Sequence, residues 1–433
     1  MIIASIVLLI LALMGVPLFI VISASAILGF ISAEVDLIVV AIEFYRIVDM
    51  PALLSIPLFT LAGYVLSESN ASQRLVRFIE ALFGWLPGGL AIVALVACAF
   101  FTALTGASGV TIVALGALMY PALKQGGYSE RFSLGLITSS GSLGLLFPPS
   151  IALILYGIIA QQLQVSEPVL IDDLFIAGML PGLLMLLLLS LWSMWVYQKD
   201  VKPVHIKNNE AGIFDTKELV SATRGAMWEI PLPAVILGGI FSGYFAISEA
   251  AAVAVVYVLV IEVIIYKDIS LKQLPDIMRE SMILVGAILV ILSASLASTN
   301  YLIDAEVPTR IFDVIREHVD NKITFLLALN VFLLFLGMIL DIFSALVIMV
   351  PILLPIAIGY GIHPLHFGII FLANMQIGYF TPPVGMNLFI ASYRFKKPIT
   401  ELYISTLPYM AILLFAVIII TYWPALSLVF ITP

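Results

Sequence analysis

Charged side chains are scarce in this sequence: Asp, Glu, Lys and Arg make up 11% of its 433 residues, against about 25% in soluble domains. With 62% of the chain hydrophobic, there is too little polar surface to clothe a large water-soluble domain. The net charge of −8 excludes a nucleic-acid surface as the main theme. Cysteine is nearly missing. Cys98 stands alone inside an apolar run, so no disulfide, zinc cluster or redox pair can be built. His205, His318, His363 and His366 fall in loops or at the edges of apolar runs without ligand spacing, and no metal site is implied. No Gly-rich phosphate loop, HExxH or Ser-His-Asp order occurs, which leaves ATP hydrolysis and catalysis without candidate residues.

What is present is apolar and continuous. Runs such as 174–197 and 405–431 are long enough to cross a hydrocarbon core about 30 Å thick. The opening MIIASIVLLILALMGVPLFIV has no basic flank and reads as a first retained span rather than a cleaved signal. The fold class that follows is an all-α polytopic membrane protein.

One passage occurs twice. Residues 142–150 read SLGLLFPPS and residues 376–384 read QIGYFTPPV. At an offset of 234 residues, Gly144 meets Gly378 and Pro148-Pro149 meets Pro382-Pro383; upstream, Pro121 meets Pro355 and Gly127 meets Gly361. A Pro pair removes two backbone donors and breaks a helix. In hydrocarbon such a break survives only where protein buries it or where it lines a watery cavity. Two broken helices at matching positions of two halves point to the ion and substrate site of a secondary transporter. They argue against a channel or structural anchor of the same composition.

Basic residues orient the chain. The one long polar stretch, 198–226, holds Lys199, Lys202, Lys207, Lys217 and Arg224 and is expected in the cytoplasm. Spans 230–246 and 248–266 then leave and return, bringing Lys267, Lys272 and Arg279 inside. Working backwards, span 174–197 puts loop 160–173 outside; it has Glu167, Asp172 and Asp173 but no Lys or Arg. A broken helix over 133–159 and a re-entrant hairpin over 88–123 then place the polar arm 68–86 and the N-terminus inside. The second half runs the other way: span 282–303, arm 304–322, hairpin 323–357, broken helix 367–391 and span 405–431, with the C-terminus outside. The predicted organisation is an inverted-topology repeat. Residues 1–197 form one copy, 198–247 a cytoplasmic loop and linking helix, and 248–433 the other.

The polar interruptions supply candidate site residues. Thr105, Gly106, Ala107, Ser108 and Gly109 suit the first hairpin tip, where small residues let the backbone turn. Gly337, Asp341 and Ser344 mark the second. Facing them, the broken helices carry Ser139, Ser140, Gly141, Ser142 and Gly144, or Asn374, Gln376, Gly378 and Thr381. Sodium, a hard cation, suits hydroxyls, freed carbonyls and helix C-terminal ends. Free helix N-termini in the same place would attract a carboxylate. Single Ser, Thr or Gly residues in membrane helices also serve close packing, but clusters beside a costly break point to function. Asp341 is the sharpest single residue, since an ionisable group at membrane depth is expensive; its plainer reading is a hairpin-end acid reaching headgroup water.

Several long passages are recognisable together: IPLFTLAGYVL at 56–66, LPGGLAIVALVACAFFTALTGASG at 86–109 and GLITSSGSLGLLFPPSIALILYG at 135–157. They continue with AVILGGIFSGYFAISEAAAVAVVY at 234–257, LGMILDIFSALVIMVPILLP at 336–355, HFGIIFLANMQIGYFTPPVGMNLFIAS at 366–392 and WPALSLV at 423–429. Over nearly its whole length the chain resembles the large membrane subunit, the DctM type, of tripartite ATP-independent periplasmic (TRAP) transporters. The resemblance implies an elevator importer of an organic acid in the bacterial inner membrane, with Na+ as coupling ion and no other cofactor. It implies two partners, a small four-helix membrane subunit (DctQ type) and a periplasmic substrate-binding protein (DctP type). Family substrates include C4-dicarboxylates, sialic acids and keto acids. The resemblance also places sodium between each tip and its facing break. Thr105, Gly106 and Ser108 would act with Ser140, Ser142 and Gly144; Gly337 and Asp341 would act with Gly378, Thr381, Pro382 and Met386. Substrate would lie against Ser108, Pro149, Ser150, Asp341, Pro383 and Asn387. The alternative is a stand-alone sodium-coupled carboxylate carrier of the same architecture.

Overall fold

The computed structural model describes residues 16–431 apart from 47–49, 164–166 and 201–214, and of the first fifteen residues only 7, 8, 10, 11 and 14. Every regular element among the described residues is a helix, as expected where hydrocarbon offers backbone groups no partner. The first half runs α1 (Leu18–Ser32), α2 (Ile38–Arg46), α3 (Ser55–Glu68), α4 (Ala71–Phe83), α5 (Gly89–Thr105), α6 (Ser108–Gln125), α7 (Glu130–Ser140), α8 (Ile151–Gln162) and α9 (Ile171–Asp200). Two short helices, α10 (Thr216–Gly225) and α11 (Pro231–Phe241), lead on. The second half runs α12 (Ile247–Leu259), α13 (Leu274–Asp304), α14 (Val307–His318), α15 (Lys322–Ile339), α16 (Ile342–Gly359), α17 (Pro364–Gly378), α18 (Met386–Phe395), α19 (Ile399–Tyr422) and α20 (Ala425–Leu428). Among the described residues, seven helices are long and apolar enough to cross a membrane, or eight if the pair bent by 41° around the first break is one span. The chain is a polytopic all-α membrane protein.

The repeated passage belongs to a repeated series of helices. Adding 234 to the bounds of α5, α6 and α7 gives 323–339, 342–359 and 364–374, against observed helices at 322–339, 342–359 and 364–378. Packing crosses between the halves. Helix α3 lies on α12 and α13 on α1; α6 lies on α18 and α16 on α8; α7 lies on α19 and α17 on α9. In each of these pairs the partners exchange under the same offset, so each half completes its core with helices of the other.

Two expected boundaries shift. The polar stretch 198–226 is not all loop, because α9 continues to Asp200 and α10 begins at Thr216. Asp215 caps α10 by accepting from the Lys217 N–H at 2.8 Å. Lys202 and Lys207 lie outside the described residues. The linking helix, expected over 230–246, is the 11-residue α11, about 16 Å of rise. Gly243, at φ +74°, turns the chain just beyond it.

The arms are the short helices α4 and α14, and α4 is anchored by charge. Its buried stripe is Ala71, Leu75, Val76 and Ile79. From its first turns Arg74 reaches Glu229, Glu262 at 2.9 Å and Asp268 at 2.6 Å, with Tyr266 stacked 3.9 Å from the guanidinium. Glu262 is fully buried in the π-helical turn Val260–Ile265 that follows α12. A buried carboxylate needs a partner, and Arg74 is that partner. Burial alone would raise the Asp268 carboxyl, but hydrogen bonds from Arg74 and Asn70 outweigh it and hold its pKa below the usual value. At the matching place on α14 stands Pro308, so the second arm lacks this cation.

Candidate ion and substrate site

Gly106 and Ala107 alone join α5 to α6. Gly106 adopts φ +66°, and a Cβ there would lie 2.5 Å from the Ile151 side chain at the start of α8. Only glycine turns the chain so tightly against that neighbour. The first hairpin tip therefore rests on the start of α8, where the first Pro-Pro break ends. Folding the hairpin puts residues equidistant from its tip face to face. Thr102 donates to the Gly141 carbonyl at 2.7 Å, and its oxygen lies 2.7 Å from Thr111 Oγ1. Thr105 is buried and accepts weakly from the Ala107 N–H at 3.4 Å. Gly144 presses on the Ala99 and Ala103 backbone.

The hydroxyls of the first break point in different directions. Ser140 turns back to the Ile137 carbonyl at 3.4 Å, whereas Ser142 donates to the Gln376 carbonyl of the other half at 2.8 Å. Pro149 and Ser150 are buried, and Ser150 Oγ has no hydrogen-bond partner among the described residues. Because a buried hydroxyl without a partner is costly, Ser150 is an open donor beside the N-terminus of α8.

The second tip repeats the packing with different chemistry. A Cβ on Gly378 would lie 2.5 Å from Gly337 Cα, so the backbones touch where Gly144 meets Ala103 in the first half. Asp341 takes the place of Ala107 and caps α16. Its carboxylate accepts from the Phe343 and Ser344 N–H groups, both at 3.0 Å, and from the Ser344 hydroxyl. The Tyr379 hydroxyl accepts from the Ile342 N–H at 2.6 Å. The first three amides of α16 are thus occupied. Helices α6 and α8 have no side-chain cap, which leaves their N-terminal N–H groups for a ligand. Asp341 is held at the tip by these amides and is half-buried there.

Both halves meet at Asn387. Ser108, the first residue of α6, donates to Asn387 Oδ1 at 2.8 Å, and Asn387 Nδ2 donates to the Thr138 carbonyl at 3.3 Å. The Asn387 N–H donates to the Tyr379 carbonyl at 2.8 Å, which sets the shape of the second break. That break is exposed on one side, where Pro383, Val384 and Met386 stand. Pro382 is partly buried. The Tyr403 hydroxyl donates to the Pro383 carbonyl, and Thr381 donates to the Ile377 carbonyl at 2.8 Å.

The structure thus brings Thr105, Gly106, Ser108, Gly144 and Ser150 around one tip, and Gly337, Asp341 and Gly378 around the other. Asn387 is joined to the first tip, and Pro383 and Met386 stand on the open side. Four participants escaped the sequence reading: Thr102, Thr111, Thr138 and Tyr379. Thr102 and Thr111 had a signal, their symmetric spacing about the Gly106-Ala107 turn. Tyr379 had none, since an aromatic beside a break reads as packing.

The sequence profile of the family described as tripartite ATP-independent periplasmic transporter, DctM component, matches residues 3–426. The C4-dicarboxylate TRAP transporter large permease protein DctM of Pseudomonas aeruginosa is 36% identical over 388 residues, covering 90% of this chain and 88% of that protein. The isethionate TRAP transporter permease protein DctMQ of Oleidesulfovibrio alaskensis is 33% identical over 417 residues, 96% of this chain and 64% of that protein. Among solved structures, the YdaH transporter of Alcanivorax borkumensis superposes with a TM-score of 0.63 at 15% identity, covering 90% of this chain and 88% of that one. The last likeness is one of fold.

Proposed function

Since the chain belongs to the family of DctM components of tripartite ATP-independent periplasmic transporters, we propose that it imports an organic anion together with sodium, working as the large permease beside a small membrane subunit and a periplasmic binding protein. The observation that carries this reading is that each hairpin tip is seated on a Pro-Pro break, with Ser108 of one half bonded to Asn387 of the other. Hydroxyls, freed carbonyls and one carboxylate are a donor set for a hard cation of low charge. One ion would lie among Thr105, Gly106, Ser108, Ser140, Ser142 and Gly144. The other would lie near Gly337, Asp341, Gly378, Thr381, Pro382 and Met386. The anion would sit at the N-termini of α6 and α8, held by Ser108, Ser150 and Asn387, with Pro149 and Pro383 as walls and Asp341 toward the far side. Two sodium ions with one monoanion carry net positive charge inward, and the membrane potential contributes about 2.3 kcal/mol per elementary charge per 100 mV.

An elevator motion is supported by how the helices group. Helices α1, α3, α12 and α13 pack on one another, while α5–α8 and α15–α18 pack mainly among themselves and on α9 and α19. The first group would be the frame, the second would move, and α4 and α14 would be the links between them. The small-subunit partner finds support in the isethionate relative, whose name joins M and Q and which extends well beyond this chain's length.

Two measurements test the proposal. In proteoliposomes, sodium-driven uptake of an organic acid is expected only when the small subunit and the binding protein are supplied. Equal uptake by this chain alone would favour a stand-alone carrier. The two halves would lie in opposite orientations in the bacterial inner membrane, with the N-terminus cytoplasmic and the C-terminus periplasmic. In a Cys98→Ala background, Lys207→Cys is then expected to resist an impermeant thiol reagent added to the periplasmic side; ready labelling would reverse the orientation.

A further inference from the structure

The bond between Ser142 and Gln376 joins two residues that are themselves separated by the repeat offset, 234 positions. A residue that touches its own counterpart lies on the pseudo-two-fold axis relating the halves, so the two breaks meet there. Both residues are fully buried. The acceptor is not an ordinary helix carbonyl. At the end of α17 the Tyr379 N–H donates to the Met375 carbonyl, whereas the Phe380 N–H skips to Ile377. The Gln376 carbonyl thereby loses its expected backbone donor. It is one of the freed C-terminal carbonyls that would face a cation at the second break. Ser142, at the first break, supplies the missing donor while its own oxygen keeps lone pairs for a cation on its side.

We propose that Ser142 couples the two breaks, so that an ion held at one orders the other and sodium activates transport cooperatively. This rests on the two-ion reading above. An ion drawing on the Ser142 oxygen fixes that side chain and strengthens its O–H as a donor. Fixing the hydroxyl fixes the Gln376 carbonyl, and with it the last turn of α17. The second ion then meets a break whose ordering is already complete, which is positive coupling. Ser142 is thus a ligand at the first break and a positioning residue for the second; a residue serving only as a ligand would change affinity without passing order to the other break.

The test is the initial uptake rate against sodium concentration, in proteoliposomes holding the complete three-component system, for wild type, Ser142→Ala, Ser142→Thr and Ser142→Cys. The wild-type Hill coefficient is expected to approach about 2, the number of coupled ions, and to fall toward about 1 in Ser142→Ala. Ser142→Thr keeps the hydroxyl and should restore the slope, and Ser142→Cys, with a weaker donor, should be intermediate even if the alanine protein fails to fold. A wild-type slope in Ser142→Ala or Ser142→Cys, with only the half-saturating concentration raised, would overturn the coupling. So would a flat slope in Ser142→Thr, or a wild-type slope near about 1 with sodium still required. Wild-type uptake indifferent to sodium would instead overturn the sodium reading itself, and this inference with it.

Discussion

Asp341→Asn is expected to raise the sodium concentration for half-maximal uptake by about tenfold, equivalent to about 1.4 kcal/mol, while the assembled complex stays monodisperse. Asparagine is about as good a helix N-cap as aspartate, so the Phe343 and Ser344 amides keep an acceptor and the second tip keeps its shape. What disappears is one negative charge beside the proposed second ion, in a half-buried setting where a nearby cation is less screened than in water. Asp341→Ala removes charge and cap together and should cost a further 0.5–2 kcal/mol or so of stability, read as a lower melting temperature. The paired comparison separates the two roles. If Asp341→Asn retains the wild-type sodium curve, the carboxylate serves α16 only and the second ion lies elsewhere.

Asn387→Asp should reduce anion uptake still more severely, by about a hundredfold or greater. The new carboxylate would sit 2.8 Å from the Ser108 hydroxyl, beside the uncapped start of α6, and would occupy as a fixed anion the place assigned to the substrate. Asn387→Ala is milder. It leaves the Ser108 hydroxyl and the Thr138 carbonyl without the partners they now have, a penalty of about 1–2 kcal/mol, or about five- to thirtyfold in rate if it falls on the transport step. The measurement is substrate uptake at saturating sodium, with folding checked by size exclusion. Normal uptake by Asn387→Asp would move the anion away from the first tip.

Asn387 illustrates how far the candidate site could be read from residues alone. Its neighbour Pro383 lies in a repeat that any comparison of the halves reveals, but its partner Ser108 is 279 residues away. No local pattern connects the two. Asp341 was legible as an unusual charge, because an acid inside a long apolar stretch is expensive. Its division of labour was not, because the Tyr379 hydroxyl that completes the cap comes from the facing break. Arg74 went unread for the same reason: its three carboxylates arrive from the turn before α11, the π-helical turn after α12 and the loop that follows it.

The sequence by itself determined the membrane class, the helical content, the two breaks and the offset that relates them. Each of these follows from local quantities: apolar length against bilayer thickness, missing amide donors at paired prolines, and a pattern that recurs along one chain. Only the tertiary structure decided which half completes which. That choice depends on packing surfaces such as α6 on α18 and α7 on α19, across more than two hundred residues. It also decided that the first tip keeps its helix N-termini uncapped while the second is closed by its own carboxylate. The physical reason is that a helix end is free or occupied according to what the folded neighbours bring to it, and that lies beyond any window read along the chain.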